Sequence, residues 1–194
     1  MGAQIMENEF SSFLFSLKLC CSCPRMVLSR IEVMGENNYP CEPQNKILDG
    51  ECEFAFVGVA PGRVKKDLKD SSVNDAAFKY GSGKVLQRLI EYFDIKSFYI
   101  TNLVKCNTPT DKIFLDDNVE SCINKYFDYE VNLVKPRRIV VLGAQAREYF
   151  KKYSLHNKKT NVYFLTHPSA ISRGFVKFDD YCLEFKKLMT GDEE

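Results

Sequence analysis

Histidine is scarce in this chain, with two among 194 residues, and charge of either sign is nearly cancelled: 27 lysines and arginines stand against 26 aspartates and glutamates, leaving a net charge of +1. A balance this even supplies no global basic field for nucleic acid, so local clusters must make any such case. Long apolar runs are missing too. The longest near the start, Phe13 to Leu19, is interrupted by Ser16 and Lys18, and a membrane span takes ~20 consecutive apolar residues. No basic segment precedes it, as a signal peptide requires. Met6 occupies the position where a myristoylation signal following Gly2 needs Ser or Thr. The expectation is a soluble intracellular protein, in the cytoplasm or nucleoid, or in the nucleus if the source is eukaryotic or viral. Several catalytic signatures are also absent: no H-E-x-x-H, no paired carboxylates, no Ser-His-Asp order. Gly81-Ser82-Gly83-Lys84 invites a phosphate-loop reading, but that motif needs Gly where Phe78 stands and Ser or Thr where Val85 stands.

What remains is an ordinary globular composition, 45% hydrophobic and 27% charged, long enough for one sizeable core at a prior of ~150 residues per domain. The organising stretch is Phe54-Ala55-Phe56-Val57-Gly58-Val59-Ala60-Pro61-Gly62. A short apolar run ending in small turn residues suits a strand buried on both faces. Further strands are expected over Phe98–Leu103, Arg138–Leu142 and Val162–Leu165, alternating with helices over 6–19, from Lys84, from Asp116/Asp117 to Pro136, over Ala144–Tyr153 and over Phe178–Met189. Residues 35–50, rich in Gly, Asn and Pro, read as a loop. This alternation predicts right-handed βαβ crossovers and a three-layer α/β/α sandwich around a central four-stranded, mostly parallel sheet. Residues 1–194 are expected to form one domain, with 1–50 packed on it and 190–194 as a flexible acidic tail.

In open α/β sheets the chemistry collects beyond the carboxyl ends of the strands. Pro61/Gly62, Asn102, Gly143 and His167 all fall at that edge. His167 sits on a strand-end turn held by Pro168, and Asn102 offers both a carbonyl and an amide, the pair needed to read the edge of a base. Eight cysteines require a different account. Without an export signal, metal or cluster ligation is preferred to a disulfide framework. Cys20 and Cys23 form a C-x-x-C pair, while Cys106 and Cys122 lie sixteen residues apart; Cys41 and Cys52 read as spare thiols.

Taken in order, Cys20–Cys23, Val57-Gly58-Val59-Ala60-Pro61-Gly62, Thr101-Asn102-Leu103-Val104-Lys105-Cys106, the Cys122 helix leading to Lys135-Pro136-Arg137-Arg138-Ile139-Val140-Val141-Leu142-Gly143, and His167-Pro168-Ser169 resemble the iron–sulfur (family 4) uracil-DNA glycosylases. The likeness runs from Cys20 to about Arg173. It implies a monofunctional base-excision repair hydrolase that flips uracil out of single- or double-stranded DNA and cuts its N-glycosidic bond, acting as a monomer. By position, it implies a [4Fe–4S] cluster on Cys20, Cys23, Cys106 and Cys122, with Cys21 as a rival ligand and a Cys₄ zinc site as the chemical alternative. The pocket would comprise Gly58, Val59, Ala60, Pro61, Gly62, Phe78 as stacking aromatic, Asn102 as base reader, and Ser169. His167 would donate to the uracil O2 as charge grows on the leaving base. Arg63, Lys105 and Arg173 would meet phosphates.

The likeness has two departures. Val59 stands where the family places the Glu that positions the attacking water, and Tyr80 replaces a small Gly. Asp75 is the substitute expected to position water. Three outcomes follow: a uracil glycosylase, a glycosylase for another deaminated base, or a module that binds uracil or DNA without hydrolysis.

Overall fold

A computed structural model of the chain describes residues 2–23, 43–47, 51–61, 81–106, 116–153, 155 and 160–190. Its elements are α1 (Gly2–Lys18), β1 (Gln44–Lys46), β2 (Phe54–Gly58), α2 (Gly81–Tyr92), β3 (Phe98–Asn102), α3 (Asp116–Cys122), a π-helical segment (Ile123–Phe127), α4 (Asp128–Val134), β4 (Arg138–Leu142), α5 (Ala144–Lys152), β5 (Asn161–Leu165), α6 (Ser169–Ser172) and α7 (Phe178–Thr190). The sheet order is β1-β3-β2-β4-β5. Strands β3, β2, β4 and β5 run parallel, and β1 adds antiparallel to β3.

The sheet therefore has five strands among the described residues, where the sequence led us to expect four. The addition, β1, is Gln-Asn-Lys, exposed or half-buried. It carries no apolar alternation, and its backbone pairing with β3 alone makes it a strand, so periodicity could not find it inside a loop-like stretch.

The layers follow from the two-residue period of the strands. Ala55 and Val57, with Ile139 and Val141, enter a core shared with Tyr99, Val119, Ile123, Phe127 and Phe150. Phe54 and Phe56, with Val140 and Leu142, enter another shared with Leu86, Leu89, Tyr181 and Phe185. The continuous apolar reading of β2 is thus met on both faces, and all five of its residues are buried. Fully burying one such side chain is worth about 1.5–3 kcal/mol. A smaller cluster docks α1 through Phe13 and Leu17 on Tyr126 and Leu133, which delivers Cys20 at the end of that helix.

The long helix expected after Asp116 is interrupted rather than continuous. Its wide π turn begins immediately after Cys122; such turns mark functional or strained positions in helices. The chain leaves α4 with Lys135 at φ 48°, its N–H donating to the Val131 carbonyl at 2.8 Å. Pro136 disfavours the right-handed helical region for the residue before it, so the helix stops there.

Candidate active site

Because β3, β2, β4 and β5 are parallel, their carboxyl ends share one edge, and each candidate residue can be followed from its strand. β2 ends at Gly58, in register with Asn102 of β3. Beyond the ladder the two chains stay stitched: Leu103 N–H donates to the Gly58 carbonyl at 2.9 Å and Val104 N–H to the Val59 carbonyl at 2.8 Å. Val59 and Ala60 are half-buried against the first core, and Pro61 is half-buried beside them. Val59 therefore serves packing, which accounts for an apolar residue at that position.

Asn102 leans over the end of its neighbour. A Cβ added to Gly58 would lie 2.5 Å from the Asn102 Oδ1. Its main chain is gripped from beneath by Lys105, whose Nζ donates to the Asn102 carbonyl at 2.7 Å and to Thr101 Oγ1 at 2.8 Å, and pairs with the Glu130 carboxylate. Glu130 also accepts from the Tyr99 hydroxyl at 2.6 Å and from Thr101 Oγ1 at 2.7 Å. Burial, and then the Glu130 charge, push the Tyr99 phenol well above its ordinary value, so it stays a donor. This corrects one expectation. Lys105 is 2% exposed and Glu130 0%, and a cation sealed in such a pair cannot reach a phosphate.

On the other side, Gly143 follows β4 at φ 88°, and its N–H donates to the Leu165 carbonyl of β5 at 2.8 Å. Two residues past β5 stands His167. A Cβ on Gly143 would meet the His167 Cβ at 2.7 Å. The Ser169 N–H donates to His167 Nδ1 at 3.1 Å, and the Ser169 hydroxyl lies 2.8 Å from the same nitrogen. Since Nδ1 accepts, the neutral ring carries its proton on Nε2, which is left as the donor. The imidazole is held below its ordinary 6.5 by partial desolvation first and the Arg173 charge second, although His167 as a residue stays exposed. Upstream, Glu184 accepts from the Thr166 N–H at 2.8 Å and its hydroxyl at 3.1 Å. Arg173 is exposed, close to Phe175, which is 78% exposed.

The thiols converge elsewhere, where α1 meets the π segment. Cys106 and Cys122 are buried and Cys20 and Cys23 half-buried, and none of the four is in a disulfide. Cys122 lies within electrostatic range of Cys20 and Cys23, and Tyr126 within range of Cys20, Cys106 and Cys122. Burial raises the Cys20 thiol, but the Tyr126 hydroxyl, the Ser22 amide and hydroxyl and the Lys125 charge outweigh it and hold the thiol below its usual value. Burial pushes Cys122 up. Cys21 is exposed. Among the described residues, no group of three or more His, Cys, Asp or Glu side chains closes on a single ion.

Residues 46–189 match the model of the uracil DNA glycosylase superfamily. The chain belongs to that superfamily. It is 28% identical over 158 residues to the type-4 uracil-DNA glycosylase of Archaeoglobus fulgidus, covering 71% of this chain and 76% of that one. It is 27% identical over 143 residues to the protein of that name from Saccharolobus solfataricus, covering 72% of this chain and 58% of that one. The Pyrobaculum aerophilum protein of the same name is 27% identical over 129 residues, covering 66% and 57%.

Within this superfamily frame the fold brings Gly58, Val59, Ala60, Pro61, Asn102, His167 and Ser169 to one sheet edge. Gly62, Arg63, Asp75 and Phe78 lie outside the described residues. The spare-thiol reading of Cys52 agrees with its burial and its contact to the Phe54 carbonyl at 3.4 Å; Cys41 lies outside the described residues. Sequence reasoning missed Glu130 and Glu184. Glu130 had a signal: it falls four residues after Tyr126 and three after Phe127, on the apolar stripe of its helix, where an acid needs a buried partner. No helix among the described residues is long and apolar enough to cross a membrane.

Proposed function

We propose that this chain is a monofunctional uracil-DNA glycosylase of the type-4 kind, acting in base-excision repair on single- or double-stranded DNA as a monomer. The observation that carries the reading is the presence, on one sheet edge, of the Asn102 side chain, whose main chain is anchored by Lys105, and of the His167 imidazole, whose Nδ1 accepts from Ser169 and leaves Nε2–H to donate. The target nucleotide is flipped out of the stack, with Phe78 as its stacking surface. The Asn102 side chain then supplies one acceptor and one donor. Uracil offers the complementary N3–H donor and O4 acceptor; cytosine has these roles interchanged and leaves both amide groups unpaired, a large penalty in a desolvated site.

As the glycosidic bond stretches, negative charge grows on the base and positive charge on the sugar. The Nε2–H of His167 donates to the uracil O2 and stabilises that charge where it develops. A neutral imidazole suits this task, because its donor is already oriented by the Ser169 amide at Nδ1. Water captures the resulting oxocarbenium ion late, positioned by Asp75. Arg63 and Arg173 contact DNA phosphates. The binding-only reading suggested by Val59 is not favoured, since the relatives share the glycosylase name.

Four thiols from the α1 exit, the turn after β3 and the helix before the π segment have the chemistry of iron–sulfur ligands, although as placed no three of them close on one ion. Cys20, Cys23, Cys106 and Cys122 would hold a [4Fe–4S] cluster, with Lys125 and the Tyr126 hydroxyl favouring thiolate at Cys20. Held by these residues, a cluster would cross-link the α1 exit to the turn after β3 and supply a structural tie rather than a reacting group.

The test is release of free base from labelled oligonucleotides holding one uracil as a U:G pair, a U:A pair or a single strand, using anaerobically purified protein assayed for iron, sulfide and zinc. Free uracil and alkali-labile sites from an iron-loaded protein support the proposal. Tight binding without base release, by protein with its metal intact, refutes it. Zinc in place of iron refutes the cluster alone.

A further inference from the structure

Of the two inner strands of the parallel set, β2 ends in Gly58 and β4 is followed at once by Gly143; of the two outer ones, β3 ends in Asn102 and β5 is followed two residues on by His167. Each polar side chain leans inward over its neighbour's glycine. The Asn102 Oδ1 occupies the place a Gly58 Cβ would need, 2.5 Å away, and the His167 Cβ, Cγ and Cδ2 lie 2.7, 3.3 and 3.3 Å from a Gly143 Cβ. Real Cβ atoms do not approach so closely. Gly81 and Gly174, both at positive φ, meet nothing within 4 Å of an added Cβ. Among these four described glycines, the crowding belongs to the two at this edge.

We infer that Gly58 and Gly143 are positioning residues, acting through Asn102 and His167: the absence of a side chain at each lets the neighbouring strand's polar group sit at the depth and angle its contact with the base requires. Backbone conformation does not explain Gly58. It lies in the regular ladder between β2 and β3, where alanine is conformationally acceptable, so the cost of a methyl there falls on the Asn102 amide. The main chain of Asn102 cannot retreat, because its carbonyl is held by Lys105. The amide must therefore rotate away from the position now over Gly58. This inference rests on the proposed role of Asn102 as base reader.

The test is a pair of mutant cycles in single-turnover base release from a uracil oligonucleotide, each chain accompanied by its unfolding curve. Gly58→Ala is expected to lower the rate ~10–100-fold with its unfolding midpoint kept, the range a lost base-edge pair carries. Added to Asn102→Ala, it should change the rate less than ~3-fold, because the group it displaces is already gone. Gly143→Ala sits at positive φ and would still meet the Cβ that His167→Ala keeps, so the Gly58 cycle, free of both complications, decides. An undiminished rate in Gly58→Ala overturns the inference. So does an equal loss in the wild-type and Asn102→Ala backgrounds, which places its effect elsewhere. A wild-type rate in Asn102→Ala itself defeats the underlying assignment of Asn102, and is told apart by that single variant.

Discussion

At the end of β3, Asn102 is held by a lysine–glutamate pair sealed from water; at the end of β5, His167 is held by a three-residue turn open to it. The first support is long-range. Glu130 arrives from α4 and collects Tyr99, Thr101 and Lys105 into one network. The second is local, a Ser169 amide and hydroxyl two residues from the ring they orient. A buried network is costly to desolvate, but it leaves its members a single arrangement, whereas a surface turn fixes a tautomer and still leaves the ring accessible. The strand end that carries the proposed base reader thus has its main chain anchored by the rigid support, and the proposed donor to the base sits on the accessible one.

The comparison is broken most severely from the buried side. Glu130→Ala strands the Lys105 charge and is expected to cost about 3–5 kcal/mol of folding stability, read from denaturant unfolding. Glu130→Leu combined with Lys105→Met should recover part of that stability, since it removes the stranded charge but leaves the Tyr99 and Thr101 hydroxyls and the Asn102 carbonyl without these partners. From the open side, His167→Ala should leave stability within ~0.5 kcal/mol of wild type. Its single-turnover base release should nonetheless fall ~10²–10³-fold, the loss typical of one oxyanion donor. Ser169→Ala removes the hydroxyl but keeps the amide at Nδ1, so a smaller loss is expected, about 0.5–1.5 kcal/mol in the activation barrier.

The smallest effect sharpens the electrostatics. Protonation at Nδ1 would set a proton against the Ser169 N–H, so activity should fail only as pH drops through the lowered value of His167, below 6.5. Arg173 disfavours the imidazolium. Arg173→Ala should therefore raise that value and move the acid limb of the pH–rate profile upward, and an unmoved limb would remove Arg173 from the account.

The same contrast explains what could be read in advance. β2, β4 and their two-faced burial follow from runs such as Phe54–Val57, because a continuous apolar run bounded by turn residues is legible without knowledge of neighbours. His167-Pro168-Ser169 was legible because its support lies within three residues. The place of Lys105 was not, and its charge suggested a phosphate contact; its partner stands on α4, and only the docking of α4 on β3 shows the pair. β1 escaped for the related reason that a polar edge strand is made by its neighbour. The π turn after Cys122 leaves the apolar stripe nearly unchanged, so no residue type announces it.

The central claim is that Asn102 and His167 act on one uracil at one sheet edge. Its most direct measurement is single-turnover release of uracil by wild type, Asn102→Ala and His167→Ala on the same oligonucleotide, with each protein's metal content and unfolding curve in hand. The account predicts losses of at least ~10-fold in the first variant and ~100-fold in the second, in chains that fold and hold metal as wild type does. A folded, metal-replete variant of either residue that releases uracil at the wild-type rate would contradict it.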